Sequence, residues 1–317
     1  MIASLRIIHG LAGAYTPPGC VATIGNFDGV HRGHQQLLVD LAREGRDRGL
    51  PVTVILFEPQ PREFFFPERS PARLTLLPEK LVRLASLPVD WVLVLRFDAR
   101  LAELAPEEFI RRILVERLHV RHLIVGDDFR FGRNRTGDTE LLRRTGKRLG
   151  FSVSATASVT RQGRRISSTW IREALSAGDL ATASELLGRP YSVCGRVVHG
   201  DKRGRHLGFP TANIALRRKN IPVQGVFAVT MSGIATHALP GVANVGTRPT
   251  IDGGSQAVLE THLFDFANDL YGRRVEVTFH RKLRDERRFA TLQELREQIG
   301  RDVVAARGYF AGMQRPG

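Results

Sequence analysis

The pattern of apolar and polar positions changes character once along the chain, and that change divides it. In the first half, short apolar runs alternate with amphipathic stretches. Val21–Gly25 closes on a glycine, while Val52–Phe57, Trp91–Leu95 and Leu123–Val125 are continuously apolar. Runs of this kind predict strands covered on both faces. Between them, Leu37, Leu38, Leu41 and Ala42 recur on one helical face. Pro106 opens another helix, with Glu107 and Glu108 in its first turn and Phe109, Ile110, Ile113 and Leu114 facing inward. The alternation predicts a parallel sheet with helices on both faces, a Rossmann-like α/β domain.

From Tyr191 to Leu283 the pattern becomes one of short strands punctuated by Gly, Pro and Asn. Ser192–Val198, Val226–Met231, Val258–Phe264 and Arg274–His280 are the candidates. Strands in such succession, without helices between them, predict a small antiparallel β-barrel or sandwich. A C-terminal helix starts at Thr291, with Glu294 three residues on as a capping box. Gly188-Arg189-Pro190 breaks the preceding helix, so the predicted domains are 1–187 and 188–317, which the length of 317 residues accommodates.

Composition narrows the setting. No apolar run approaches the ~20 residues that cross a bilayer, and the first residues carry no signal-peptide pattern; no membrane partner is expected. Cys20 and Cys194, far apart, argue against a disulfide framework or a zinc site and for a cytoplasmic location. The formal charge of +15 suggests an anionic partner, nucleic acid or a phosphorylated small molecule. All but five of the 47 basic residues are arginine, a bias that base composition alone would also produce. Aromatic residues, 7% of the chain, show no cluster spaced to stack successive bases, so no nucleic-acid partner is expected.

GNFDGVHRGH (25–34) falls where the first apolar strand hands over to a helix, the carboxyl end at which open α/β sheets bind ligands. Gly25, Gly29 and Gly33 permit close backbone approach, and the helix start offers N–H groups to phosphate. His31 and His34 can face one anion together and offset charge on a phosphorus centre and departing pyrophosphate. The same pair alone is equally consistent with metal ligation or plain surface histidines. Neither G-x-G-x-x-G nor a Walker A motif is present. Ser167, Ser168 and Thr169 precede a helix, as an N-cap, an anion site or both.

In the second half, GFPTAN (208–213) sets Gly208 and Pro210 in a rigid turn. Thr211 and Asn213 offer oxygens suited to Mg²⁺ held largely by phosphate and water, although a strand-entry turn would read the same way. In LETHLFDF (259–266), alternation puts Glu260, His262 and Phe264 on one face, where a carboxylate can accept a hydroxyl proton. Arg281, Lys282 and Arg284 read as a solvated charge run.

Taken in order, GNFDGVHRGH, GDDFRFG (126–132), RISSTWIREAL (165–175), GFPTAN, GVANVGTRPT (241–250), LETHLFDF and LYGRRVEVTFHRKLRDERRF (270–289) resemble the bacterial bifunctional riboflavin kinase/FAD synthetases, in the proteobacterial form. The resemblance spans about residues 20–300. It implies a nucleotidyltransferase domain that adenylylates FMN to FAD, then a riboflavin kinase domain, with riboflavin, FMN and ATP as partners and Mg²⁺ as cofactor. By the same resemblance, His31 and His34 are catalytic in the first domain. Gly25, Asn26, Phe27, Asp28, Gly126, Asp128, Phe129, Ser168, Thr169 and Arg172 handle ATP and the flavin phosphate. Glu260 is the kinase base, Thr211 and Asn213 hold the metal, Gly208 and Pro210 shape the phosphate turn, and Arg288 and Phe289 border the flavin. Glu58 is given no role, and oligomeric state is left open. Two other readings stand beside this one: an H-x-G-H transferase acting on pantetheine phosphate, nicotinamide mononucleotide or choline phosphate, and an RNA-binding barrel.

Overall fold

A computed structural model describes residues 5–11, 18–200, 208–218, 220–249 and 255–313. Residues 201–207, which precede GFPTAN, and Thr250 of the 241–250 motif lie outside the described residues. The chain forms two compact units, Met1–Pro71 with Leu77–Ser167 and Ala72–Leu76 with Ser168–Gly317.

The first unit is the α/β domain. Its strands are β1 (Arg6–His9), β2 (Cys20–Ile24), β3 (Val52–Glu58), β4 (Trp91–Arg96), β5 (Val120–Gly126) and β6 (Ser152–Thr156). They form one parallel sheet in the order β1-β4-β3-β2-β5-β6. Alternate residues point to opposite faces, and both faces are apolar, which is why these strands read as continuous hydrophobic runs. Val21, Val52, Val54, Val92 and Val94 pack on one side with Leu38, Leu41 and Ala42 of α1 (Arg32–Arg48) and Leu84 of α3 (Leu77–Ala85). Ala22, Ile55, Leu93, Leu123 and Val125 pack on the other. There they meet the segment that begins as α5 (Pro106–Phe109) and widens into a π-helical stretch, Ile110–Arg117, and also Leu142 of α6 (Thr139–Leu149). Phe109, Ile110, Ile113 and Leu114 are buried as the periodicity predicts. Short helices α2 (Pro61–Phe65) and α4 (Ala99–Ala102) and the hairpin β7–β8 (Thr160–Arg161, Arg164–Arg165) complete the unit.

The strand order carries a functional consequence. From β2 the chain builds β3 and β4 on one side, then crosses to β5 on the other. The order therefore reverses between β2 and β5, and the crevice at their carboxyl ends is the ligand position of such sheets.

The second unit is the barrel, with α7 (Ser168–Ala177) and α8 (Leu180–Leu187) preceding it. Strands β9 (Ser192–Val198), β10 (Ala212–Ala215), β11 (Gly225–Ser232), β12 (Leu239–Pro249), β13 (Ser255–Leu263) and β14 (Arg274–Arg284) close in the order β10-β13-β12-β11-β14-β9, every pair antiparallel. Phe227, Val229, Met231, Leu259, Val277 and Phe279 are buried in its wall. Val226, Ala228 and Val242 instead meet Ala306, Tyr309 and Phe310 of the closing helix α9 (Leu292–Met313). The cap before that helix forms on one side as expected, Thr291 Oγ1 accepting the Glu294 N–H at 3.2 Å, whereas the Glu294 carboxylate reaches one residue further back and accepts the Ala290 N–H at 3.2 Å.

Candidate active sites

The first candidate site grows out of β2. Past Ile24 the chain turns through Gly25–Gly29 toward α1. Phe27 (φ 47°), Gly29 (85°) and Val30 (43°) take left-handed backbone, costly for a β-branched valine and kept only where surroundings enforce it. The surroundings do so from two sides. The ammonium of Lys80, a fully buried residue of α3, donates to the Asn26 carbonyl at 2.6 Å. The Gln35 amide donates to the Val30 carbonyl at 2.8 Å. The Phe27 ring folds over Gly25 and lies 4.7 Å from the His34 ring, so it supports the turn from the core. Asp28 is buried too.

His31 caps α1. Its Nδ1 accepts the His34 N–H at 3.3 Å, which places the proton of a neutral imidazole on Nε2. The two rings stack at 3.6 Å between centroids, 17° apart in plane. His34 Nδ1 is buried with no hydrogen-bond partner. Burial, then neighbouring His31, Lys80 and Arg165, holds His34 well below its ordinary pKa of 6.5. At neutral pH His34 is therefore an uncharged donor, and the positive groups beside it are Lys80 and Arg165, the latter paired with Asp128. The sequence reading had let the imidazoles themselves offset charge.

Gly126 closes β5, the neighbour of β2. The Asp128 carboxylate lies back over it, 3.1 Å from where a Cβ would stand, and accepts two hydrogen bonds from the Arg165 guanidinium at 3.1 and 3.3 Å. The second and third sequence segments thus meet at one ion pair. Phe129 stacks on Phe131 at 5.6 Å. Ser168 and Thr169 open α7, half-buried and exposed respectively, and Arg172 one turn on donates from Nε to the Ala72 carbonyl at 2.6 Å. Within the first unit, exposed Phe64 and Phe65 contact Phe97 at 5.5 and 5.7 Å, and Phe57 joins at 5.7 Å. This aromatic shelf was not read from sequence.

The second candidate site is written in the register of the barrel. Asn213 on β10 lies opposite Glu260 on β13, and Glu260 lies opposite Asn244 on β12. Glu260 and His262 alternate with buried Leu259, Thr261 and Leu263, which puts them on the outward face. Asn244 Nδ2 donates to Glu286 at 3.3 Å. The Asn213 amide packs over Gly200 so closely that any Cβ there would overlap it. His262 Nδ1–H donates to the Pro210 carbonyl at 2.9 Å and so fixes the turn that begins at Gly208 (φ 87°). Pro210 and Thr211 line a cavity of about 490 Å³, together with Thr261, Asp269 and Tyr271. Thr261 Oγ1 is buried and has no hydrogen-bond partner. At the end of β9, His199 packs on Tyr271 with 3.7 Å between ring centroids.

Arg288 is exposed, and Phe289 is half-buried beneath the guanidinium groups of Arg287 (4.7 Å) and Arg284 (5.7 Å). The expected solvated run is corrected here. Arg284 makes three hydrogen bonds of 2.8 to 3.1 Å to buried Asp302, and Lys282 pairs with Asp285 at 2.6 Å, while Arg281 is exposed. Among the described residues no group of three or more His, Cys, Asp or Glu could hold a metal unaided. A hydroxyl and an amide oxygen beside one carboxylate suit a Mg²⁺ whose other ligands are phosphate and water.

A nucleotide-type crevice in a parallel sheet, followed by a closed barrel with a Thr/Asn/Glu cluster, defines a two-module phosphorus-transfer protein. The comparisons agree. The profile described as FAD synthetase matches residues 14–170, and that described as riboflavin kinase matches 187–310. The bifunctional riboflavin kinase/FMN adenylyltransferase of Escherichia coli K12 is 54% identical over 312 residues, covering 98% of this chain and 99% of its own. Those of Pseudomonas fluorescens and Haemophilus influenzae are 52% and 47% identical, over 97% and 96% of this chain and 97% and 99% of theirs. A crystal structure from Streptococcus pneumoniae titled a macrolide-efflux protein superposes with a TM-score of 0.79 at 30% identity, covering 94% of this chain and 97% of that one. Among the described residues, no helix is long and apolar enough to cross a membrane. The chain belongs to the bifunctional riboflavin kinase/FMN adenylyltransferase family.

Proposed function

We propose that this chain makes FMN from riboflavin and ATP on residues 188–317, and FAD from FMN and ATP on residues 1–187, with the following division of labour. In the kinase half, the riboflavin 5′-hydroxyl attacks the γ-phosphorus of ATP, its proton passes to Glu260, and ADP leaves. Thr211 and Asn213 hold Mg²⁺, which supplies charge neutralisation on the phosphates. The register opposition of Asn213 and Glu260 supports this assignment, since it sets a metal ligand and a base on adjacent strands. Gly208 and Pro210 shape the phosphate turn, and Arg288 and Phe289 border the flavin.

In the adenylyltransferase half, a phosphate oxygen of FMN attacks the α-phosphorus of ATP and pyrophosphate departs. His31 and His34 donate hydrogen bonds to the developing charge, which a dry, preorganised site makes effective. Gly25, Asn26, Phe27, Asp28, Gly126, Asp128 and Phe129 form the walls, and Ser168, Thr169 and Arg172 serve the triphosphate. The Phe57, Phe64, Phe65 and Phe97 rings offer the isoalloxazine an apolar stacking surface. The cytoplasm is the setting, a reading supported by two cysteines that form no disulfide.

The observation that carries the reading is the reversal of strand order between β2 and β5, at the ends of which GNFDG and Gly126 stand. Incubating the purified chain with riboflavin, ATP and Mg²⁺ yields FMN and then FAD on chromatography, and chelating the metal stops both. No flavin product in the complete mixture would refute the proposal.

A further inference from the structure

Lys80 has no part in the sequence motifs, yet its side chain is fully buried at the first site. Burying an ammonium costs free energy unless it is hydrogen-bonded and faces negative charge or dipoles. Its Nζ lies 2.6 Å from the Asn26 carbonyl, the residue before the left-handed Phe27–Val30 turn. His31 follows that turn directly and caps α1, and His34 stacks on His31. A buried cation thus holds the one backbone segment whose conformation determines where both imidazoles stand.

We propose that Lys80 is a positioning residue for adenylyl transfer: it locks the Asn26–Val30 turn and, through it, sets His31 and His34 for the departing pyrophosphate. The inference rests on the reading of that histidine pair as the adenylyl-transfer centre. Three groups face His34 with positive charge or the capacity for it, namely His31 of the same helix, Lys80 of α3 and Arg165 of β8. Removing the Lys80 charge therefore lets His34 take up a proton more readily. Water entering a loosened site would act in the same direction, since burial is the first cause of the low pKa, so a variant that keeps the charge is needed to tell the two apart.

The test uses the full chain, with FMN formation as an internal control. In Lys80→Met, FMN-to-FAD turnover falls by about 100-fold, the scale expected when catalytic groups are misplaced by about 1 Å. The acid limb of its kcat profile moves to higher pH, and riboflavin-to-FMN turnover stays within about twofold. Lys80→Arg keeps the charge but replaces the compact ammonium with a bulkier planar guanidinium that the buried site cannot seat in the same place, so it lowers FAD turnover and leaves the acid limb in place. It decides the matter if the Met variant does not fold. Wild-type FAD turnover with an unmoved pH profile in the folded variants overturns the role of Lys80. His31→Ala separates the two levels. If it too makes FAD at the native rate, the reading of the site fails; if it is inactive while Lys80→Met is active, only this inference fails.

Discussion

Asn213 and Glu260 face each other across β10 and β13, so the proposed metal ligand and the proposed base are set on adjacent strands by backbone hydrogen bonds alone. Glu260→Gln keeps the shape and removes the base. Riboflavin phosphorylation falls by about 10²- to 10⁴-fold, the usual scale for a general base, while FMN-to-FAD conversion persists. Chromatography of the two reactions run separately distinguishes this outcome from a collapse of the fold, which would remove activity together with the circular dichroism of the barrel.

His34 gives stability a pH dependence of known sign. The folded chain holds it well below 6.5, so the unfolded chain binds a proton that the folded chain refuses. Its contribution is complete above about 6.5 and is lost as pH falls below that value. His122 and His280, also held low by burial, act in the same direction. Denaturant titrations between pH 5 and 8 should show a declining midpoint toward acid, shallower in His34→Gln. An equal slope in the two proteins would exclude His34 as a source.

Arg284 and Asp302 tie the end of β14 to α9 through a largely buried ion pair. Asp302→Ala leaves a guanidinium stranded, at a cost of about 3–5 kcal/mol. Chemical denaturation of the barrel unit measures it. Exchanging both partners for apolar residues should recover much of that loss.

Cys20 lies in the sheet with its thiol donating to the Leu118 carbonyl, and burial raises its pKa to about 11. It should resist iodoacetamide at pH 8 in the native chain and react once denatured. Mass spectrometry of the alkylated peptides reads the result directly.

The sheet strands were legible because burial on both faces writes itself as unbroken apolar runs, and β9 matched its sequence span residue for residue. β1, β6, β10 and β12 escaped notice: RIIH and ANIA are too short to show a period, SVSAT is polar and largely exposed, and LPGVANVGTRP is broken by proline and glycine. Motif residues were visible as chemistry, but their partners were not. Lys80 sits in an ordinary helical LPEK stretch, and only the packing of α3 against the GNFDG turn makes it buried. Arg284 looked like one charge among several because its partner, Asp302, arrives from a helix eighteen residues later.

The barrel of the second unit is a closed circuit, so none of its strands offers an unpaired row of amides to another polypeptide. The open sheet of the first unit ends on β1 and β6, and it is these two that stand guard against strand addition by other copies. Both are short, and β6, SVSAT, is polar and largely exposed. Hazard from intermolecular pairing during synthesis therefore sits in the half that leaves the ribosome first, and the brevity of both edges and the polarity of β6 are its protection.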